Sequence, residues 1–175
     1  MGRFSIIFVA LFLISTPLSA DVVDATPAGF SIKIAIDVNA SASSVYRALL
    51  QIGSWWDPAH TWSGQASNLS LDRRAGGCFC ETLPAGSVQH MTVTFVDAPR
   101  TLHMAGGLGP LGTLAVTGSM AWTLAADGPR TRLELSYNVG GYVPAGLNNL
   151  APVVDSVLST QVQRLKKFAE TGRTP

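Results

Sequence analysis

The sequence is poor in charge of either sign. Charged residues make up 13% of the chain, and its 12 Lys and Arg residues are almost balanced by 11 Asp and Glu residues. Such a chain offers no positive field for nucleic-acid phosphates, and it has no basic run interleaved with aromatic residues. We therefore expect no nucleic-acid partner.

Histidine and cysteine are scarce as well. The chain has 3 His and 2 Cys residues, and their spacing does not match a set of zinc ligands. We therefore expect no metal and no other cofactor. The hydrophobic share of 47% is that of a globular chain with a sizeable interior, which excludes disorder as a description of the whole chain.

Long apolar runs are missing too, because none reaches the ~18 residues that a membrane-spanning helix needs. Residues 4–14 are mostly apolar, follow the basic residue Arg3 and lead into small residues that end at Ala20. This order is typical of a secretory signal peptide, and we predict that it is cleaved after Ala20.

Cleavage divides the chain into a signal peptide at residues 1–20, a loose lead-in at 21–29 and one domain at 30–172. The mature protein is then periplasmic or secreted, and it has no stable membrane anchor. The sequence leaves the oligomeric state open.

The last long segment, residues 147–171, has the pattern of an amphipathic helix. Its apolar residues recur at steps of three and four, and Gly172 follows as a residue that can end a helix in the left-handed conformation. The free energy gained by burying these apolar side chains only matches the conformational entropy lost when the helix is ordered. The helix must therefore pack on an apolar surface of the domain. Its apolar residues are Leu147, Leu150, Ala151, Val154, Val157, Leu158, Val162, Leu165, Phe168 and Ala169.

Strands fill most of the remaining chain. Residues 30–38 alternate between apolar and polar, and a short amphipathic helix at 44–52 follows before Gly53. After the aromatic segment 54–65, six further strands are predicted at 68–72, 78–82, 88–96, 100–105, 114–124 and 131–142.

Alternate residues of a strand share a face, so the pattern assigns an inner face to each strand. Parity sends His90 and His103 outward and places Glu81 opposite the two cysteines, which leaves an interior without ionisable groups. A shift of one residue in register reverses each assignment. The predicted inward set is Met91, Phe95, Leu102, Met104, Val116, Met120, Trp122, Leu133, Leu135, Tyr137 and Val139.

Cys78 and Cys80 are separated by one residue. In a regular strand their Cα atoms would lie about 6.5–7 Å apart, near the upper limit for a disulfide. Free, packed thiols are therefore the favoured interpretation. A disulfide stays open as an alternative if the strand is bulged at Gly76 and Gly77, because exported proteins usually pair their cysteines.

The aromatic segment, residues 54–65, holds three of the 4 tryptophans. It is either a short element packed on the core or the rim of a pocket, and packing is favoured because tryptophan is usually buried. Asp57 and His60 within it form the one polar cluster with the character of a site, although a plain surface loop explains them too.

Three stretches carry a resemblance to a known family: 34–49 (IAIDVNASASSVYRAL), 74–81 (RAGGCFCE) and 118–137, followed by the terminal helix. With this order of elements the chain resembles the START-like SRPBCC superfamily, in particular its polyketide cyclase/dehydrase and Hsp90-ATPase-activator-homologue groups. The resemblance implies an α+β helix-grip fold. In it, a curved antiparallel sheet of about six to seven strands wraps the C-terminal helix and often leaves an apolar cavity beside it, and two short helices follow the first strand.

The first functional hypothesis is an exported carrier or sensor that holds a hydrophobic ligand, such as a lipid or a polyketide-like or aromatic molecule, between sheet and helix. The segments 54–65 and 106–112 would cover the ligand. Convergence of His90, His103 or Glu81 in the interior would contradict this carrier interpretation. The predicted ligand-binding residues are Trp55, Trp62, Met91, Phe95, Leu102, Met104, Val116, Met120, Trp122, Leu135, Tyr137, Val154 and Leu158.

Three alternatives stay open. One is an enzyme of the cyclase or hydratase type that uses Tyr137, His60 or Asp57 on such a ligand. Another is a chaperone cofactor, which the resemblance implies and the predicted export opposes. The last is a structural module whose interior is filled by its own side chains.

Overall fold

Eight antiparallel strands form one sheet in the structure, a computed structural model that describes residues 20–175. The predicted signal peptide falls outside the described residues, except for Ala20. The sheet order is β1-β2-β8-β7-β6-β5-β4-β3. The strands are β1 Ala20–Thr26, β2 Gly29–Val38, β3 Leu69–Leu71, β4 Cys78–Leu83, β5 Gly86–Asp97, β6 Thr101–Ala105, β7 Ala115–Asp127 and β8 Arg130–Tyr142.

Three α-helices and four short 3₁₀ turns complete the described chain. The α-helices are α1 Ala42–Leu50, α2 Ile52–Trp55 and α3 Ala151–Thr171. The 3₁₀ turns are Pro58–His60, Ala66–Asn68, Gly109–Thr113 and Leu147–Asn149. The curved antiparallel sheet with a long terminal helix confirms the predicted α+β helix-grip fold.

The strand count exceeds the prediction because the expected lead-in at 21–29 forms β1 and the first residue of β2. β1 pairs with β2 from Ala20 opposite Ile34 to Thr26 opposite Gly29. Val22 and Val23 on β1 are exposed, so this edge strand is held by main-chain pairing and carries no apolar alternation to predict it from.

α1 and α2 are the two short helices expected after the first predicted strand, but α1 ends at Leu50, and Gly53, predicted to follow its end, lies within α2. The Ser41 side chain accepts a hydrogen bond from the Ser44 main chain at 3.3 Å and so caps α1. α3 starts with Pro152 in its first turn and ends at Gly172, whose φ of 68° is left-handed. No helix within residues 20–175 is long and apolar enough to cross a membrane.

The centre of the sheet is filled by its own side chains. Leu133 and Leu135 on β8 and Trp122 on β7 are buried, as their alternation predicts, and so is Leu165 on the facing helix α3. The Trp55 ring packs against Trp122, with ring centroids 6.3 Å apart. This part of the interior is core rather than cavity.

Strand β5 departs from regular pairing at two places. Phe79 pairs with Met91 but Cys80 pairs with Gln89, so His90 is an extra residue between them. Thr94 is likewise skipped, between the pairs that β5 forms with β6. Each extra residue is a bulge, and each bulge reverses the alternation beyond it.

These bulges overturn two predictions from parity. His90, predicted outward, is buried beside Met91, which is buried as well. Phe95, predicted inward, is 48% exposed. Its ring lies against His103, with ring centroids 5.2 Å apart, on the outer face of the sheet.

Candidate functional site

A cavity of about 650 Å³ lies at one end of the domain, beside the filled centre. Most of its wall is apolar, and its volume falls in the range of about 300–1,000 Å³ that small-molecule sites occupy. Its lining residues are Trp56, Ala59, His60, Thr61, Trp62, Leu69, Phe79, His90, Leu108, Gly109, Pro110, Leu111, Leu114, Leu150, Val153, Val154, Val157 and Leu158.

Of the predicted ligand-binding residues, Trp62, Val154 and Leu158 line this cavity. The others lie elsewhere because the sheet centre is packed solid and the space opens at its end. Phe95 is on the outer face and Val116 is half-buried. The remaining ones are buried in the core: Trp55, Met91, Leu102, Met104, Met120, Trp122, Leu135 and Tyr137.

Two of the three tryptophans of the aromatic segment are core residues, as the packing interpretation expects. The indole of Trp55 donates to the Ala48 carbonyl at 2.9 Å. Trp56 is buried on the cavity wall and donates to the His60 carbonyl at 3.0 Å. Trp62 is 51% exposed at the cavity, so the segment both packs on the core and borders the pocket.

Exposed apolar side chains gather where the cavity meets solvent. Leu114 and Val153 are 39% and 63% exposed and line the cavity together with Trp62. Large apolar groups left in water beside an apolar space are typical of a ligand-binding site.

Tyr137 does not reach the cavity. Its hydroxyl donates to the Gly106 carbonyl at 3.1 Å and accepts from the Leu108 main chain at 3.0 Å. Burial raises the pKa of this hydroxyl to about 12, against the smaller opposing effect of the Leu108 hydrogen bond. Tyr137 therefore holds the segment 106–112, part of which lines the cavity. The structure gives no support to Tyr137 as an acid–base group.

A buried pair of ionisable residues stands beside the cavity. The Glu81 side chain is fully buried, and its Oε2 lies 3.0 Å from Nε2 of His90. The same carboxylate accepts hydrogen bonds from the main-chain N–H groups of Trp62 and Ser63. Glu81 therefore ties the aromatic segment to β4 and orients His90 at once.

The Glu81 carboxylate is ionised at neutral pH. Burial would raise its pKa, but hydrogen bonds from Ser63, Trp62 and His90 outweigh burial and leave the pKa below its usual value. A carboxylate can only accept, so Nε2 of His90 must donate to it. The Nδ1 atom of His90 is buried and has no hydrogen-bond partner within residues 20–175.

The prediction of an interior without ionisable groups is therefore wrong. The bulge at His90 turns its side chain inward, and Glu81 shares the inner face with Phe79. The rings of Phe79 and His90 lie 5.0 Å apart on the cavity wall. The sequence could have indicated that Glu81 is buried. Phe79 lies two residues before it on the same strand face, and a large apolar residue such as Phe79 is expected to point inward.

The predicted cluster of Asp57 and His60 is held by a third residue, Gln161, which local sequence pattern does not place beside it. Gln161 on α3 is fully buried, and its Oε1 accepts from the Asp57 main chain at 2.8 Å. Its Nε2 lies 3.0 Å from Nδ1 of His60, so that nitrogen accepts and the proton of the neutral ring sits on Nε2.

Within this cluster the two predicted residues have different positions. His60 lines the cavity. The Asp57 carboxylate accepts from the Ala59 main chain at 3.0 Å and caps the turn that carries His60. Asp57 thus supports the wall and does not line it.

Cys78 and Cys80 form a disulfide, so the favoured prediction of free thiols is wrong. Their Cα atoms are 5.3 Å apart, closer than in a regular strand. The irregular pairing lies between Phe79 and Cys80 rather than at the preceding glycines. Within residues 20–175 no group of three or more His, Cys, Asp or Glu side chains is arranged to hold a metal ion.

Comparison with known proteins gives a family and a set of similar folds. Residues 29–170 match the model of a family described as polyketide cyclase / dehydrase and lipid transport. No curated protein matches the chain.

Three solved structures with a similar fold share little sequence with the chain. A conserved protein of unknown function from Enterococcus faecalis, EF2215, is 15% identical at a TM-score of 0.59, covering 85% of this chain and 75% of that one. The Aha1 dimer from Colwellia psychrerythraea is 15% identical at 0.59, covering 81% and 97%. CalU16 from Micromonospora echinospora is 17% identical at 0.56, covering 84% and 78%.

Proposed function

Because the chain belongs to the polyketide cyclase/dehydrase and lipid transport family, as its resemblance predicted, we propose that it binds a hydrophobic small molecule in the cavity beside α3. The observation that carries this proposal is the cavity itself, about 650 Å³ in volume with a largely apolar wall. The exposed apolar groups of Trp62, Leu114 and Val153 give such a molecule a route between solvent and interior.

The wall offers enough apolar surface for useful affinity. Each methylene buried from water contributes about 0.8 kcal/mol, so about ten methylenes give roughly 8 kcal/mol. That gain corresponds to a dissociation constant around micromolar before the costs of ordering are subtracted. The polar side chains among the described lining residues are those of His60, Thr61 and His90.

We also propose that the protein is exported, so that the ligand is bound in the periplasm or outside the cell. This step rests on the signal-peptide pattern of residues 1–20. The convergence of Glu81 and His90 beside the cavity contradicts the expected interior without ionisable groups, on which the choice of a carrier over an enzyme rested. The apolar wall supports ligand binding and leaves both a carrier and an enzyme open.

The buried Glu81–His90 pair favours a second candidate function, an enzyme of the cyclase or hydratase type. Two imidazoles, His60 and His90, lie on the wall of one cavity, and each has its tautomer set by a buried partner. An oriented imidazole is the commonest general acid or base. In this candidate His90 takes the catalytic role predicted for Tyr137, whose hydroxyl is engaged with the main chain.

Binding is tested by titrating the purified protein with the apolar dye 1-N-phenylnaphthylamine and by native mass spectrometry. Val157 lines the cavity, so Val157→Trp should occupy part of the space and weaken dye binding at least tenfold. Val23→Trp is the matched control, because Val23 is exposed on the edge strand β1. Equal binding by both variants, together with a mass free of bound ligand, would contradict the proposal.

A further inference from the structure

We propose that the cavity selects apolar molecules that carry an uncharged carbonyl group, and that Nε2 of His60 donates the hydrogen bond to its oxygen. This inference rests on the proposed ligand binding and adds the chemical class of the ligand. It starts from the position of His60, which lines the cavity and keeps 35% of its side chain exposed.

Gln161 determines which nitrogen of the His60 ring carries the hydrogen. The Asp57 N–H group can only donate, so the oxygen of the Gln161 amide must face it. The NH₂ group of the same amide then faces Nδ1 of His60, 3.0 Å away, and Nδ1 accepts. Since Gln161 is fully buried, no solvent competes for these bonds. The neutral ring therefore carries its hydrogen on Nε2.

The Nε2–H group is the polar group that this ring offers to the cavity. Cγ is attached to the chain and Nδ1 is covered by Gln161, so the exposed part of the ring is the edge formed by Cε1, Nε2 and Cδ2. Within residues 20–175 nothing accepts a hydrogen bond from Nε2. A donor on an apolar wall gains from a ligand that brings an acceptor to it.

The residues that follow His60 add a second donor and no free acid. Trp62 is 51% exposed and lines the cavity, and its indole N–H has no acceptor in the described part of the chain. The hydroxyl of Thr61 between them already donates to the Pro58 carbonyl at 2.8 Å. This side of the wall therefore presents N–H donors, and the complementary group on a ligand is an oxygen acceptor.

The charges around His60 favour a carbonyl over a carboxylate. No Lys or Arg is among the described residues that line the cavity, so a bound anion would have no counter-charge there. The Asp57 carboxylate lies 3.7 Å from Nδ1 of His60, and it would repel a second negative charge on the same ring. A ketone or ester brings the acceptor without the charge.

The test compares 2-decanone with 2-methyl-1-decene, in which a CH₂ group replaces the carbonyl oxygen. Each compound displaces 1-N-phenylnaphthylamine from the wild-type protein and from His60→Phe at pH 7.5. The variant keeps an aromatic ring and removes the donor. We expect the ratio of ketone affinity to alkene affinity to fall about fivefold in the variant, which is the effect of one net hydrogen bond.

The outcomes separate this inference from the proposed function. A ratio that is the same in both proteins overturns the inference and leaves the proposed function standing. Failure of both compounds and of the dye to bind the wild-type protein overturns the proposed function itself. Nonanoate has the same alkyl chain with a carboxylate in place of the methyl ketone, and we expect it to bind more weakly than 2-decanone. Tighter binding of nonanoate would overturn the choice of an uncharged ligand.

Two further variants test whether the effect belongs to His60. The matched control is His103→Phe, on the outer face of the sheet, which should keep the wild-type ratio. Trp62→Phe removes the other donor and keeps a ring, and it should lower the ratio by less than His60→Phe does. A larger loss in the Trp62 variant would assign the carbonyl to Trp62 and overturn the inference.

A measurement on the wild-type protein covers the case in which the His60 variant does not fold. A hydrogen bond to a carbonyl oxygen lowers its stretching frequency, which infrared spectra of 2-decanone labelled with ¹³C at the carbonyl record. We expect a lower frequency in the protein than in hexane. Long-range ¹H–¹⁵N correlation spectra should show the His60 hydrogen on Nε2. A frequency equal to that in hexane, or a neutral His60 ring with its hydrogen on Nδ1, would contradict the assignment.

Discussion

The side-chain amide of Gln161 lies 3.0 Å from Nδ1 of His60, across 101 residues of sequence. One buried residue on the terminal helix therefore sets both the position and the tautomer of an imidazole on the cavity wall. The oxygen of the same amide accepts a hydrogen bond from the Asp57 main chain. Gln161 therefore links α3 to the aromatic segment by two hydrogen bonds at the site.

Removal of this amide is expected to loosen the aromatic segment. Gln161→Leu leaves the Asp57 N–H without its partner and His60 without its donor, which should lower the free energy of unfolding by about 1–3 kcal/mol. Urea unfolding measures the change. Gln163→Leu, at an exposed position of α3, is the matched control and should change stability little.

Glu81 is expected to stabilise the protein in a pH-dependent way. Its pKa is lower in the folded state than its usual value of 4.5. Its stabilising contribution is therefore complete above about pH 4.5 and is lost as the pH falls through the lowered folded pKa. Urea unfolding between pH 3 and 7 should show Glu81→Gln about 1–3 kcal/mol less stable at neutral pH, with a difference that shrinks in acid.

The control for Glu81 is Glu134→Gln on the outer surface. Glu134 pairs with Lys33 at 3.0 Å, and both side chains are well exposed. Such exposed pairs contribute little, so this variant should track the wild type across the pH range. A similar acid profile for both variants would show that burial of Glu81 has no special effect.

Tyr137 is expected to produce a loss of stability in alkali. The hydroxyl ionises near pH 10 in the unfolded chain and at about 12 in the folded one. Its contribution is therefore complete below pH 10 and is lost as the pH rises toward 12. At pH 11 the contribution of Tyr137 to the free energy of unfolding should be smaller by about 1.4 kcal/mol.

Tyr137→Phe isolates this effect, because it removes the ionisable hydroxyl and keeps the ring. At pH 8 the variant should be about 1–3 kcal/mol less stable, since the main-chain groups of Gly106 and Leu108 lose their partner. Denaturant unfolding at pH 8 and pH 11 compares the two proteins. If the difference in free energy of unfolding between the two proteins is the same at pH 8 and pH 11, the raised pKa of the Tyr137 hydroxyl is contradicted.

The disulfide between Cys78 and Cys80 is expected to matter little for ligand binding. Phe79 between the cysteines lines the cavity, whereas the half-buried cysteines point to the opposite face of β4. A bond that closes so short a loop should contribute only about 1–2 kcal/mol. The double serine variant should keep its affinity for 1-N-phenylnaphthylamine. Alkylation of both thiols without a reductant would show that the bond does not form.

Export is expected to yield a mature chain that begins at Asp21. Cell fractionation and the intact mass of the purified protein test this expectation, and Ala20→Arg at the cut site should block processing. A full-length protein in the cytoplasm would instead favour the chaperone-cofactor alternative.

The sequence by itself determined most of the elements, though not the edge strand β1, and most of their inner faces. The apolar stripe of α3, its end at Gly172 and the alternation of β7 and β8 depend on neighbours a few residues away, so the pattern carries them. The family resemblance likewise rested on local stretches, and the match over residues 29–170 confirms it.

Only the tertiary structure decided which side chains meet at the site. The bulge that turns His90 inward arises from how β5 pairs with β4, and alternation along one strand cannot reveal it. The hydrogen bonds from Gln161 to His60 and from Trp62 to Glu81 join segments that are distant along the chain or separated by a turn. Local pattern places a residue on a face, whereas the site depends on register and on long-range contacts, and these form only when the whole sheet closes on the helix.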